Sequence, residues 1–401
     1  MHNDSMARGV MRAPRMRGTV ASTARTSLAV TAIVALAACN DNEPVQPNAK
    51  VRDGGPKSPS AIILTLPGIL PEGQIFPAKI GFLTGSAVGQ QPKVQVYDKT
   101  GKLMAQFSAF PFGEDSKAGV EVALGDVNAD GYPDIIAGEG PAPLSPNPSM
   151  YAVWDGKTGA FITTGTPYWN TFRGGVRVGA ADMDGDGKAE ILACLGPGGY
   201  ATGAYIYKVG NSYPYMVFST QVGGYPDGWT KGGCRIAAGD INGDAKPELI
   251  AVYDGPYQSL LIEDLSINKA QVWKSPMGAQ YTGPISVAAG DVNGDKHADV
   301  MLAQIGALNG SPPVLIYDGA KINMQGFLPT PTTVKPLNWW WATGLTIAAR
   351  DNDGDGLVDL LVKPTSGLGS SSFGAWRAPT FATYMLWINE TAVTGNGGPI
   401  G

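Results

Sequence analysis

From about residue 80 onward the chain is written in short alternations of apolar and polar positions bounded by glycine, Asp-Gly or Thr-Gly. One set reads GVEVALGD, GVRVGAAD, GCRIAAGD, PISVAAGD and GLTIAARD, starting at residues 119, 175, 233, 284 and 344. A second apolar set follows each after a short polar link: DIIAGEG, EILACLG, ELIAVYD, DVMLAQI and DLLVKPT. Period-two spacing, β-branched residues and glycine-bounded ends predict strands rather than helices. A third strand follows in most units (KVQVYD, YAVWDG, AYIYKV, VLIYDG), often with a fourth such as LMAQFSAF or AFITTGT.

Four antiparallel strands per unit are what a propeller blade needs, whereas a β-helix would require shorter coils. Small residues recur at one place in the first strand, at Ala123, Gly179, Ala237, Ala288 and Ala348, which predicts that these strands crowd around a central axis. Full units begin near Gly119, Gly175, Gly233 and Gly283; a partial one precedes them, and another, from Gly344 to about Glu390, lacks a clear fourth strand. The expected fold is therefore all-β, a β-propeller over residues 61–390 with six blades of four antiparallel strands. Seven blades with a degenerate member is the alternative. The segment AIILTLP from Ala61 could complete the first blade, and residues 391–401 are expected to form a disordered tail.

The links between first and second strands repeat too. They read DVNADGYPD (Asp126 to Asp134), DMDGDGKAE (Asp182 to Glu190), DINGDAKPE (Asp240 to Glu248), DVNGDKHAD (Asp291 to Asp299) and DNDGDGLVD (Asp351 to Asp359), with starts 56, 58, 51 and 60 residues apart. Side-chain oxygens stand at positions 1, 3, 5 and 9: Asp126, Asn128, Asp130, Asp134; Asp182, Asp184, Asp186, Glu190; Asp240, Asn242, Asp244, Glu248; Asp291, Asn293, Asp295, Asp299; and Asp351, Asp353, Asp355, Asp359. Calcium takes six to eight oxygens, and a loop that points alternate side chains inward, adds a carbonyl near position 7 and closes on a carboxylate supplies them.

These loops hold 17 of the 34 acidic residues, a density that repels itself unless a cation shares it. Up to five structural Ca²⁺ ions are expected. The other reading is a set of solvated Asn/Asp/Gly turns. Ala245 and Lys296 stand at position 6, where glycine would suit a positive φ, so the third and fourth sites are expected to bind more weakly or not at all. Flanking strands exclude a helix-flanked EF-hand.

The repeat GDVNGDGxxDxxxGxGP...VxVYDGxTG resembles the FG-GAP and VCBS repeats of integrin α-chain-like β-propellers, over roughly residues 80 to 390. The resemblance implies a propeller with calcium in the turn between the first and second strands. It implies no particular activity, because binding proteins and enzymes share the repeat.

At the N-terminus, Arg8, Arg12, Arg15, Arg17 and Arg25 precede the apolar run SLAVTAIVALAA, twelve residues against the roughly 20 that a membrane-spanning helix needs. This is the pattern of a signal peptide over residues 1–38. Leu36-Ala37-Ala38-Cys39 looks like a bacterial lipobox with Cys39 the lipidated residue, the alternative being an ordinary small-residue cleavage site. Residues 39–60 read as a flexible tether. The expected setting is the bacterial cell envelope, outside the cytoplasm, with a lipid anchor to the outer membrane or cell surface.

Composition narrows the chemistry. With 29 Lys plus Arg against 34 Asp plus Glu and no basic cluster, nucleic acid is not an expected partner. Without residues 1–38 the charge is −9, which five Ca²⁺ would bring to +1. Two histidines, His2 and His297, and three cysteines exclude a multi-histidine zinc site and a disulfide scaffold. Cys194 and Cys234 lie on neighbouring repeats, where they either pair or serve as small hydrophobes.

Aromatic residues gather in the connections opposite the acidic loops: Tyr168, Trp169, Tyr225, Trp229, Tyr281, Trp339, Trp340 and Trp341, with Trp376 assigned to a second-to-third turn. Phe172, Trp229, Tyr281 and Trp341 are expected to fill wedges between blades. Trp169, Trp339, Trp340 and Trp376 are the candidates for stacking on a glycan or protein ligand. A binding or adhesion module is the expected function. The alternatives are a polysaccharide lyase or hydrolase, for which Glu139, Asp227 and Arg377 could serve, and a platform subunit of an envelope assembly.

Overall fold

The computed structural model describes residues 76, 79–110, 117–145, 147–168, 170–198, 203–210, 216–219, 232–254, 258–306, 312–337, 344–365, 372–389 and 400. They form six antiparallel sheets. Blade 1 is β1 (Ile80–Gly85), β2 (Lys93–Asp98) and β3 (Leu103–Ser108); blade 2 is β4 (Val120–Gly125), β5 (Asp134–Glu139), β6 (Tyr151–Trp154) and β7 (Phe161–Gly165). Blade 3 is β8 (Val176–Ala181), β9 (Glu190–Leu195), β10 (Gly203–Tyr207) and β11 (Met216–Ser219). Blade 4 is β12 (Cys234–Gly239), β13 (Glu248–Tyr253), β14 (Ser259–Asp264) and β15 (Lys269–Lys274). Blade 5 is β16 (Ile285–Gly290), β17 (Asp299–Gln304), β18 (Val314–Tyr317) and β19 (Thr332–Val334); blade 6 is β20 (Leu345–Arg350), β21 (Asp359–Pro364), β22 (Ser372–Trp376) and β23 (Tyr384–Asn389). The sixth blade thus has the fourth strand, YMLWIN, that its sequence did not make clear.

The hydrophobic clusters lie between blades. The second strands are buried on both faces and pack outward onto third strands and sideways onto the next blade. The ring closes where Phe373 and Leu361 of blade 6 meet Phe82 and Tyr97 of blade 1; the Phe373 ring lies 5.6 Å from that of Phe82 and 5.3 Å from that of Tyr97. Burying such rings contributes about 1.5 to 3 kcal/mol each. Phe172 and Tyr281 are buried wedge fillers, as expected.

In blade 1, β1 pairs with β2 in the register that second strands take with third strands elsewhere: Phe82 faces Tyr97 as Ile135 faces Trp154. Its inner-strand place is met by Ile400, which is buried and bridges Thr84 in antiparallel fashion, as Val122 does Ala137 in blade 2. Ile400 is therefore seated in the ring rather than in a disordered tail. An apolar residue beside an open strand edge gains both burial and a partner. The segment from Ala61 lies outside the described residues, as do residues 1–60.

Cys194 of β9 and Cys234 of β12 form a disulfide between blades 3 and 4, with Cα atoms 5.7 Å apart. Among the described residues no helix is long and apolar enough to cross a membrane.

Candidate functional site

All five acidic loops sit at first-to-second strand corners on one face of the ring. Each is built the same way. The position 1 carboxylate accepts backbone N–H groups from later in its own loop, as Asp182 does from Gly185, Asp186 and Gly187. The position 5 carboxylate accepts the N–H of position 7, as Asp295 does from His297. The chain turns through positive φ at position 6 in every copy, with glycine in three and Ala245 (66°) and Lys296 (71°) in the others. The sequence expectation of a left-handed residue there is met, and Ala245 and Lys296 carry a strain that glycine would not.

Position 9 is the buried floor. Asp134, Glu190, Glu248, Asp299 and Asp359 are at most 2% exposed, and each accepts the N–H of position 2 or, in Glu248, of positions 2 and 3. In Asp134, Asp299 and Asp359 the second oxygen accepts an N–H from the third-to-fourth turn, from Gly156, Gly319 and Ala378. Burial, with neighbouring carboxylates adding to it, pushes Asp134, Glu190 and Asp299 up to about 6 and Glu248 to about 7, and raises Asp359. These are the groups whose charge a cation would stabilise.

The donor set suits a hard cation. Carboxylate oxygens of Asp182, Asp184 and Glu190 lie within 4.8 Å of one another, and so do those of Asp351, Asp353 and Asp355. In the other three loops, an amide oxygen from Asn128, Asn242 or Asn293 stands at position 3. All-oxygen surroundings of this kind fit calcium rather than a soft metal.

The corners have one component that motif reading missed: the residue at the end of the third strand or directly after it, which faces the loop. By strand register these equivalents are Asp155, Lys208, Asp264, Asp318 and Arg377. Asn128 and Asn242 donate Nδ2 to Asp155 and Asp264, each at 3.1 Å. Lys208 Nζ lies 2.5 Å from Asp184, 2.7 Å from Asp186 and 3.9 Å from Glu190, and Arg377 lies 2.6 Å from Asp353. The available signal was the aromatic residue ending the third strand, Trp154, Tyr207, Tyr317 or Trp376, with the facing residue next in sequence.

Trp376 itself is corrected by this register. It ends β22 rather than lying in a second-to-third turn, and it is buried among Leu360, Leu345 and Ala378, so it has no face to offer a ligand. Arg377 likewise stands on the acidic-loop face and not beside the aromatic connections. Trp169, Trp339, Trp340 and Asp227 lie outside the described residues.

A central channel of about 620 Å³ runs between the inner strands and is lined, as the small-residue pattern predicts, by Ala123, Gly179, Ala237, Ala288 and Ala348. Toward the face opposite the acidic loops, the second residue of each inner strand is polar. Arg177 donates to the carbonyl of Cys234, Arg235 to that of Ile285, and the Ile347 N–H donates to Ser286, so these side chains stitch inner strands together. Both arginines share Asp254 Oδ2, at 2.9 and 2.5 Å, and Glu121 lies 4.0 Å from Arg177. Glu139 also lines the channel. It is 5% exposed, its Oε2 has no hydrogen-bond partner among the described residues, and burial pushes it up to about 7.

Six sheets around a channel, with an acidic corner on five of them, define a six-bladed β-propeller. Its repeats are FG-GAP-like: residues 126–193 and 240–302 match the FG-GAP-like repeat family, each match spanning two consecutive acidic loops. No curated protein matches the chain. Similar solved structures include the rhamnogalacturonan lyase PL11 of Bacillus licheniformis, at 12% identity over 79% of this chain and 70% of that one, with a TM-score of 0.39. AofleA from Arthrobotrys oligospora is similar at 11% identity over 82% and 90%, with a TM-score of 0.48. The V. cholerae biofilm matrix protein Bap1 is similar at 16% identity over 79% of this chain and 44% of that one, with a TM-score of 0.33.

Proposed function

We propose that this chain is a calcium-stabilised propeller, lipid-anchored at Cys39 outside the cytoplasm, that acts as a binding or adhesion module for a glycan or protein partner. The observation that carries the calcium reading is the buried carboxylate flooring each of five loops of oxygen donors, raised above its ordinary value by burial and by the acids around it. A cation held by several such oxygens fastens the corner and leaves the opposite face free to vary. The Cys194–Cys234 disulfide supports an oxidising compartment. A glycan array probed with the calcium-loaded domain tests the binding role; no retained glycan, together with no partner in an envelope pull-down, would refute it.

One observation favours a second reading, a polysaccharide-active enzyme. Glu139 is a buried carboxyl with a free oxygen on a channel that also presents Arg177 and Arg235, and a carboxyl poised near 7 suits general acid–base work. Assaying any glycan hit for turnover with wild type and Glu139→Gln decides between the two.

A further inference from the structure

Every acidic corner collects four carboxylates, but in two arrangements. In blades 2, 4 and 5, three come from the loop and the fourth, Asp155, Asp264 or Asp318, from the third-strand end, with asparagine at position 3. In blades 3 and 6 all four come from the loop, position 3 is Asp184 or Asp353, and the third-strand end is Lys208 or Arg377. Position 3 thus carries an amide where an acid faces it and an acid where a base faces it. Two carboxylates in those places would lie at hydrogen-bond distance and repel, because Asn128 already touches Asp155 at 3.1 Å.

The contacts are unequal in depth. At the blade 2 loop Lys157 lies 3.7 Å from one acid, Asp130, and over the Tyr132 ring, while Lys79 donates to the Gly131 carbonyl; in blade 5 Lys321 meets Asp318 rather than a loop acid. Lys208 is on three loop acids at once, at positions 3, 5 and 9, and is 28% exposed. Positions 3, 5 and 9 are among the oxygens a divalent ion would need.

We propose that Lys208 is a tethered counter-ion of the blade 3 corner, and Arg377 of the blade 6 corner, so that these two corners hold together without metal and take it up only by displacing the side chain. Metal dependence then resides in blades 2, 4 and 5. This rests on the calcium reading above and reverses the expectation from position 6, which made the third and fourth loops, those of blades 4 and 5, the weaker sites.

The test compares wild type, Lys208→Gln and Lys188→Gln. Lys188 is an exposed residue of the same loop, so its change removes equal charge without that contact. Calcium titration by calorimetry is expected to show one site tightened about tenfold or more in Lys208→Gln and little change in Lys188→Gln. In EGTA, Lys208→Gln is expected to melt about 3 °C or more below both other proteins and to recover in calcium. Equal calcium affinities and equal EGTA melts across the three proteins would overturn the proposal. Failure of the calcium reading itself looks different: no heat of binding in any protein, with the EGTA melt of Lys208→Gln still reporting whether its ammonium holds the corner.

Discussion

The backbone N–H of Ala189 donates to the carbonyl of Asp126 at 2.7 Å, tying position 8 of one acidic loop to position 1 of the loop before it. Ala298 does the same to Asp240 at 2.6 Å, and Val358 to Asp291 at 2.8 Å. Between blades 3 and 4 the donor position is Pro247, which has no N–H to give. That interface carries the Cys194–Cys234 disulfide, so among neighbouring blades that both have an acidic loop a covalent link holds the pair that lacks the loop-to-loop bond.

Removing that link should therefore be felt. The disulfide closes a chain separation of 40 residues, and loop closure of that length corresponds to about 4 kcal/mol. Cys194→Ala with Cys234→Ala should lower unfolding free energy by about 2 to 4 kcal/mol in urea titration. An unchanged midpoint would show that packing alone holds blades 3 and 4.

Calcium should stabilise the fold. Each site at a hundredfold excess over its Kd adds about 2.7 kcal/mol. The expected result is a melting temperature that falls in EGTA and returns when calcium is restored. A melt indifferent to both would leave the loops as turns closed by their own hydrogen bonds.

Asp299→Ala should cost about 2 to 5 kcal/mol, because it strips acceptors from the buried N–H groups of Val292 and Gly319. Asp295→Ala, at an exposed position of the same loop, should cost far less in metal-free protein. Chemical denaturation in EGTA compares them, and equal costs would contradict the assignment of position 9 as the floor.

Glu139 gives a pH signature. Its folded value of about 7 exceeds the ordinary 4.5, so the folded chain holds this proton more tightly than the unfolded chain does. Its contribution is whole below pH 4.5 and is lost as pH rises through about 7, up to roughly 3 kcal/mol. Glu139→Gln should match wild type near pH 4.5 and exceed it at pH 8. Urea midpoints at both values check this, and a constant gap between the proteins would refute it.

Much of this architecture was legible because strand alternation and the nine-residue loop are local patterns. Val120 to Gly125 and Asp134 to Glu139 are readable from spacing alone, and the left-handed turn at position 6 follows from its glycines. Lys208 and Asp184 were not legible as partners, because 24 residues and two strand pairings separate them and only register brings them together. Trp376 was misplaced for a related reason: an aromatic beside a base looks like a surface turn until β22 is aligned with the strand ending at Trp154. The Arg177–Asp254–Arg235 cluster joins strands β8 and β12 and the residue that follows β13, and has no linear signature.

The pairing of position 3 with the third-strand end limits how such a ring can be rearranged. Carrying the blade 3 loop into blade 2 would set Asp184 against Asp155, and the reverse exchange would leave Lys208 facing an amide. Duplication and swapping of blades therefore conserve charge only when loop and facing turn travel as one cassette, and chimeras cut between them should misassemble at that seam.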